Sequence, residues 1–180
     1  ASQVTRVLEP SPDPTTDRRA EIQALWNYFA PAGGVIVELY PQATYRAGTV
    51  NSPATATKAA GAYGLEIPSN CGLRGQGAST VVEIHAGGAF GTGCGISPAG
   101  MRDCTANYGA ASNVVLENFT LQASGQEASS GNLLNLVYCS DWTVRGVTFG
   151  SCYYHAIELT ACQRVLVQDC LFNGSHTWAA

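Results

Sequence analysis

The segment from Asn113 to Phe172 repeats one apolar pattern three times, and that repetition limits the folds open to the chain more than any other feature. Asn113-Val-Val-Leu-Glu-Asn-Phe-Thr-Leu121 is followed by Asp141-Trp-Thr-Val-Arg-Gly-Val-Thr-Phe149 and by Arg164-Val-Leu-Val-Gln-Asp-Cys-Leu-Phe172, with starts 28 and then 23 residues apart. Four positions stay apolar throughout: Val114, Trp142 and Val165; Leu116, Val144 and Val167; Phe119, Val147 and Cys170; Leu121, Phe149 and Phe172. A second element interleaves with the first, since Leu134-Asn135-Leu136 recurs as Ile157-Glu158-Leu159, and Cys139 as Cys162, both after 23 residues.

Short alternation, a polar corner, then alternation again describes a coil with several flat sides. Stacking such coils sets equivalent residues one strand spacing apart, roughly 4.8 Å, so each inward position becomes a ladder. The repeats therefore predict an all-β fold, a right-handed parallel β-helix or solenoid. A leucine-rich horseshoe would need a leucine-spaced strand framework that is absent. Helical repeats are excluded because the units lack a ten-residue run of helical period and are rich in Val, Thr and Cys.

With 180 residues, 46% of them hydrophobic and only 12% charged, the chain has material for one core. Few lysines and a net charge of -4 argue against nucleic acid as a partner. No run of about 18 apolar residues is present, so no membrane-spanning segment is expected. Seven cysteines leave at least one thiol unpaired within the chain. Cys139 and Cys162, on equivalent rungs, read as a reduced stack of small buried hydrophobes. Cys94 and Cys104, read as loop residues, are the first candidates for a disulfide. No Cys/His spacing suits zinc, and the three histidines share no metal or triad spacing.

Residues 1–16 are Pro-rich and read as an extended arm or linker, with residues 17–180 as the β-helix. Asp17 is placed to cap a helix. Arg18 to Phe29 carries Ile22, Leu25, Trp26 and Phe29 on one face, an amphipathic helix expected to cover the open N-terminal end of the solenoid. Thr16-Asp17-x-x-Ala20-x-Ile22-Gln23-Ala24, Gly33-Gly34-Val35 and Pro41-x-x-Thr44-Tyr45 resemble the opening of the pectate-lyase-like superfamily, and Leu65 to Gly75 with Val81 to Ile84 resembles its next coil. Ala43 stands where that family prefers Gly, and the glycine-rich lead-in is reduced to Pro12-Asp13-Pro14. The resemblance covers residues 16–84 and 113–175. Its members include polysaccharide lyases, polygalacturonase-type hydrolases and phage tailspike depolymerases.

The resemblance implies a protein of the cell exterior, secreted or on a virion surface, that binds and cleaves an extended polysaccharide as a hydrolase or lyase. No cofactor is expected, with calcium the one metal a lyase reading would admit. The alternative is a non-catalytic β-helix section of a viral tailspike or cell-surface protein, homotrimeric if a tailspike and otherwise monomeric. The chain stops where the 23-residue shift would start another strand, which reads as the N-terminal piece of a longer protein.

Gly87 to Ala111 reads as a Gly-rich loop that could wall a groove. Glu158 lies between inward Ile157 and Leu159 and so points outward, and with His155 it is the catalytic candidate. Tyr153 and Tyr154 offer ring faces on which a sugar can stack. Asn135 shares the Glu158 column, Glu83 is expected near the same face, and Arg145 could meet a uronate. Asn118, Gly146 and Asp169 form a corner column expected to serve the turn backbone.

Overall fold

The computed structural model describes residues 3–52, 61–86, 94–101, 109–125, 131–152 and 154–174. The described chain is mostly β, with one α-helix and three sheets. Sheet A contains β1 (Val4–Leu8), β2 (Val35–Leu39), β6 (Gly72–Arg74), β9 (Ser112–Glu117), β12 (Ser140–Arg145) and β15 (Gln163–Gln168), in that order. Sheet B runs β3 (Thr44–Gly48), β7 (Val81–Ala86), β10 (Thr120–Gly125), β13 (Thr148–Phe149) and β16 (Leu171–Phe172). Sheet C runs β4 (Val50–Ser52), β5 (Gly61–Ile67), β8 (Cys94–Pro98), β11 (Asn132–Val137) and β14 (Ile157–Thr160). From β5 onward the chain visits C, A and B in turn, and each visit adds a strand parallel to the one before. Among the described strands only β4 with β5 is antiparallel. This cyclic order is the one a parallel β-helix requires.

The three repeats are the three last strands of sheet A with the sheet B strands that follow them. Val144 is level with Leu116 on one side and Val167 on the other, and Trp142 lies level with Val114 and Val165. Leu121, Phe149 and Phe172 form the corresponding file in sheet B, where the Phe149 and Phe172 rings stack with centroids 5.0 Å apart. One core cluster draws on all three sheets, including Val37, Leu73, Leu116 and Val144 from A, Val82 and Leu121 from B, and Leu65, Ile96 and Leu136 from C. Full burial of such side chains is worth about 1.5–3 kcal/mol each, which is why these files stay apolar. On the last rung Val167 is 37% and Phe172 58% exposed, because no described coil follows to cover them.

Left-handed backbone turns the corners. Asn113, Asp141 and Arg164 have φ of 57°, 59° and 51° at successive entries to sheet A, and Asn118, Gly146 and Asp169 have 58°, 62° and 53° at successive exits. Asn, Asp and Gly tolerate this region best, so the Asp169 column is a corner device.

The N-terminal residues cover the first edge of every sheet. In sheet A, β1 pairs with β2, so part of the segment read as an arm is built into the sheet. In sheet B, Asp17 bridges Arg46, and the Arg18 amide donates to the Arg46 carbonyl at 2.8 Å. The helix α1 (Arg19–Phe29) begins one residue later than the pattern suggested. Asp17 does not bond as the cap residue itself. Its Oδ1 accepts from the amides of Arg19 and Gly48, each at 2.9 Å, tying the helix start to the end of β3. Along sheet C, Arg19 Nε donates to the Gly64 carbonyl at 2.7 Å, and Gln23 exchanges two hydrogen bonds with the Glu66 backbone. Ile22 and Trp26 are fully buried, and Trp26 Nε1 donates to the Gly72 carbonyl at 3.0 Å.

One expectation fails here. Cys94 lies on a rung, in the fully buried β8, and not in a loop. The Gly/Ser/Pro content of this strand and its irregular spacing from β5 hid it among turn residues. Cys104 lies outside the described residues, as does most of the segment read as a groove wall.

Candidate functional site

The outer face of sheet C is shaped by a kink at the start of its strands. The successive amides of Leu133 and Leu134 donate to the carbonyls of His155 and Ala156 in the next coil. Both leucines are buried in the core, so strict alternation is broken at this point. Asn132 and Asn135, one residue to either side, are left off the core. The kink recurs one coil earlier, where a Cβ on Gly95 would stand 2.8 Å from the Ile84 side chain. That inward position has room for no side chain.

Two files therefore run across the outer face. Tyr63 is level with Cys94 and then Asn132. Glu66 is level with Ser97, and Asn135 with Glu158. Since Ile96 pairs with Leu134, Ser97 and Asn135 one residue further on are level as well. Asn132 Nδ2 donates to Glu158 Oε2, and Thr160 Oγ1 lies 3.5 Å from Glu158 Oε1. His155 and Tyr154, both exposed, lead into β14 with ring centroids 3.9 Å apart.

Three oxygens on this face are shielded from water and have no hydrogen-bond partner: Ser97 Oγ, Asn132 Oδ1 and Asn135 Oδ1. A buried acceptor left unmet costs about 1–3 kcal/mol; Asn132 and Asn135 stand on the strand next to Glu158, and Ser97 one strand further on.

The sequence candidates divide among the sheets. Glu158, Asn135, His155 and Tyr154 come together on sheet C, while Tyr153 lies outside the described residues. Glu83 does not share this face as expected. It stands on β7 of sheet B, where Arg46 Nε donates to its Oε1 at 2.7 Å and Gln122 is level with it. Arg145 stands on sheet A with its Nη2 2.5 Å from Glu117 Oε1, while Arg74 Nε holds Glu117 Oε2 at 2.9 Å. Glu38, Arg74, Glu117 and Arg145 thus form one file of alternating charge. Its centre, Glu117, is only 6% exposed, while the Arg145 side chain that pairs with it is 52% exposed.

No protein-family model and no curated protein matches the sequence. The solved structures that align with this chain include two of low identity. The A-module of a mannuronan C-5 epimerase from Azotobacter vinelandii aligns over 91% of this chain at 17% identity with a TM-score of 0.38. The chain spans 54% of that module. A candidate glycosyl hydrolase from Parabacteroides merdae aligns over 92% of this chain and 95% of its own length, at 12% identity and a TM-score of 0.40. Both likenesses are loose.

Asn132 and Ser97 were missed from the sequence. The offset that turns Leu134 into Ile157 also turns Asn132 into His155, and that was the one available sign of a second outward file. Among the described residues no three His, Cys, Asp or Glu side chains gather to hold a metal ion, so calcium, as a lyase would use it, finds no carboxylate cluster here. A cavity of about 390 Å³ lies at the β2–β3 corner, lined by Pro10, Pro12, Pro14, Tyr40 and Pro41. It holds neither carboxylate nor imidazole.

Proposed function

We propose that this chain forms a right-handed parallel β-helix that binds an extended polysaccharide along the outer face of sheet C, outside the cell or on a virion surface. The observation that carries this reading is the placement of Glu158, half-buried and held by the neutral Asn132 and Thr160, on the strand that the exposed rings of Tyr154 and His155 lead into. A sugar ring brings hydroxyl donors on its edge for a carboxylate and an apolar face for stacking on such rings.

Binding is favoured over complete cleavage by spacing. Glycoside hydrolysis needs two carboxyl groups about 5–10 Å apart. Glu66 and Glu158 share a file but lie three strand spacings apart, about 14 Å. Glu83 and Glu117 are committed to arginines on the other sheets. Cleavage by a hydrolase or lyase would thus take a second group from outside these described carboxylates. The separated carboxylates also suit the second reading, a non-catalytic tailspike or cell-surface section. Mass measurement in solution divides the two, a trimer favouring the tailspike and a monomer the secreted protein.

The test is a glycan-array screen with the unmodified chain and with Tyr154→Ala and Asn135→Ala. Binding that both substitutions weaken supports the proposal. Binding unchanged by either would move the site to another face.

A further inference from the structure

The fold also brings together, on the outer face of sheet B, an imidazole and a hydroxyl that lie 39 residues apart in the chain. His85 on β7 is level with Ser124 on β10 on one side and with Gly48 on β3 on the other. Its Nδ1 lies 3.1 Å from Ser124 Oγ. Both side chains are half-buried, so the pair is within reach of solvent. With the ring proton on Nε2, Nδ1 accepts from the Ser124 hydroxyl, the arrangement in which a neighbouring base activates a serine.

Two further groups flank the pair. A Cβ on Gly48 would stand 2.6 Å from Asp17 Oδ2, so this carboxylate fills the Gly48 place in the file. The file thus runs carboxylate, imidazole, hydroxyl across three adjacent strands. Gln122 precedes Ser124 by two residues and shares its face of β10. Its carboxamide leans over Gly150, where a Cβ would stand 3.2 Å from Oε1, and β13 lies on the opposite side of β10 from β7. A base therefore stands on one side of Ser124 and a side-chain amide on the other, where it can meet the oxygen of a carbonyl that Ser124 attacks.

We infer that Ser124 and His85 form a catalytic pair that hydrolyses a short acyl ester of a sugar hydroxyl, with Gln122 as donor to the oxyanion and Asp17 as the charge that steadies the imidazolium. Ser124 Oγ bonds to the carbonyl carbon as His85 Nδ1 takes the hydroxyl proton. The ester C–O bond then breaks, and His85 returns the proton to the leaving alcohol. Water attacks the acyl-serine with His85 again as base, which releases the carboxylic acid and restores the hydroxyl. The acyl group is short because the outward neighbours on β3, β7 and β10 include Arg46, Glu83, Thr120 and Gln122, with Val81 the one aliphatic side chain among them. Such a surface offers no bed for a long acyl chain and suits a polar, uncharged alcohol. This activity is independent of the polysaccharide-binding reading of sheet C.

The experiment is hydrolysis of p-nitrophenyl acetate, p-nitrophenyl decanoate and an O-acetylated glucoside by the unmodified chain, with a fluorophosphonate as covalent probe and mass spectrometry to locate its adduct. The acetate is expected to react at least about tenfold faster than the decanoate, and the probe to add to Ser124. Ser124→Ala should abolish both hydrolysis and labelling, and His85→Gln should lower turnover by about 10²–10⁴-fold. Gln122→Ala should lower kcat by about 10²–10³-fold with KM unchanged. Asp17→Asn, whose side-chain oxygen can still accept from the amides of Arg19 and Gly48, should lower kcat by at least about tenfold with KM unchanged. Circular dichroism should show every variant folded. Hydrolysis that survives Ser124→Ala, an adduct on another residue, or neither hydrolysis nor adduct would overturn the inference. So would a decanoate rate equal to or above that of the acetate.

Discussion

Gln23 in the helix and Glu66 in β5 of sheet C are joined as two paired β-residues would be. The Gln23 Nε2 donates to the Glu66 carbonyl at 2.7 Å, and its Oε1 accepts from the Glu66 amide at 3.0 Å. A side-chain amide thus takes the place of a neighbouring peptide at an edge where β4 no longer reaches. An open edge is a template for aggregation, and α1 closes it chemically as well as sterically. Gln23→Ala should destabilise the chain by about 1–3 kcal/mol, the cost of leaving one donor and one acceptor unmet. A urea titration that moves by less than the measurement error would remove this role.

Trp26 tests the packing side of the same cap. Its ring is fully buried and its Nε1 is bonded to Gly72. Trp26→Ala should cost about 3–5 kcal/mol, and Trp26→Phe about 1 kcal/mol plus any loss of fit. Equal values for the two in chemical unfolding would show that the hydrogen bond, and not the ring, is what matters.

Cys139 Sγ and Cys162 Sγ lie 3.6 Å apart on adjacent rungs. Burial, reinforced by the neighbouring thiol, pushes the Cys139 thiol far above its ordinary range, so it makes a poor nucleophile at neutral pH. Oxidation by a small disulfide reagent should be slow, yet it should end in an intramolecular bond with the loss of two hydrogens by mass. Closing this loop should then raise stability by about 3 kcal/mol. Rapid modification of both thiols without bond formation would contradict the packing.

Arg164 holds Asp141 through two hydrogen bonds, of 2.5 and 2.8 Å, across the last two coils. The Arg164 hydrogen bond keeps the Asp141 carboxyl below its ordinary value of 3.8. Because the folded-state value is depressed, the stabilisation is complete above that ordinary value and fades as pH falls through the depressed one. The pair is exposed, so the effect is small and should shrink with salt. Arg164→Ala should flatten the acid limb of a melting-temperature profile, and an unchanged limb would discount the pair.

Arg145→Ala separates wall from site. Its guanidinium is spent on Glu117 in sheet A, so glycan binding should be unaltered while stability falls slightly. Loss of binding in a folded variant would return Arg145 to the site.

The sequence alone determined the inward files. Leu116, Val144 and Val167 fall into register because burial selects apolar side chains at the same place in each coil, and that place is visible in repeats 28 and then 23 residues apart. The face of α1 and the corner role of Asp169 were readable for the same kind of reason, since helical period and left-handed turns leave local marks. Only the tertiary structure decided which sheet each outward residue joined. Glu83, Arg145 and Glu158 all read as outward residues, but turns of unequal length send them to B, A and C. The kink at Leu133 was equally hidden, because two adjacent core leucines break alternation in the sequence without saying which neighbour turns outward. That answer came from backbone pairing with His155 and Ala156 a coil away, a contact that no local pattern records. It is what sets Asn132 beside Glu158.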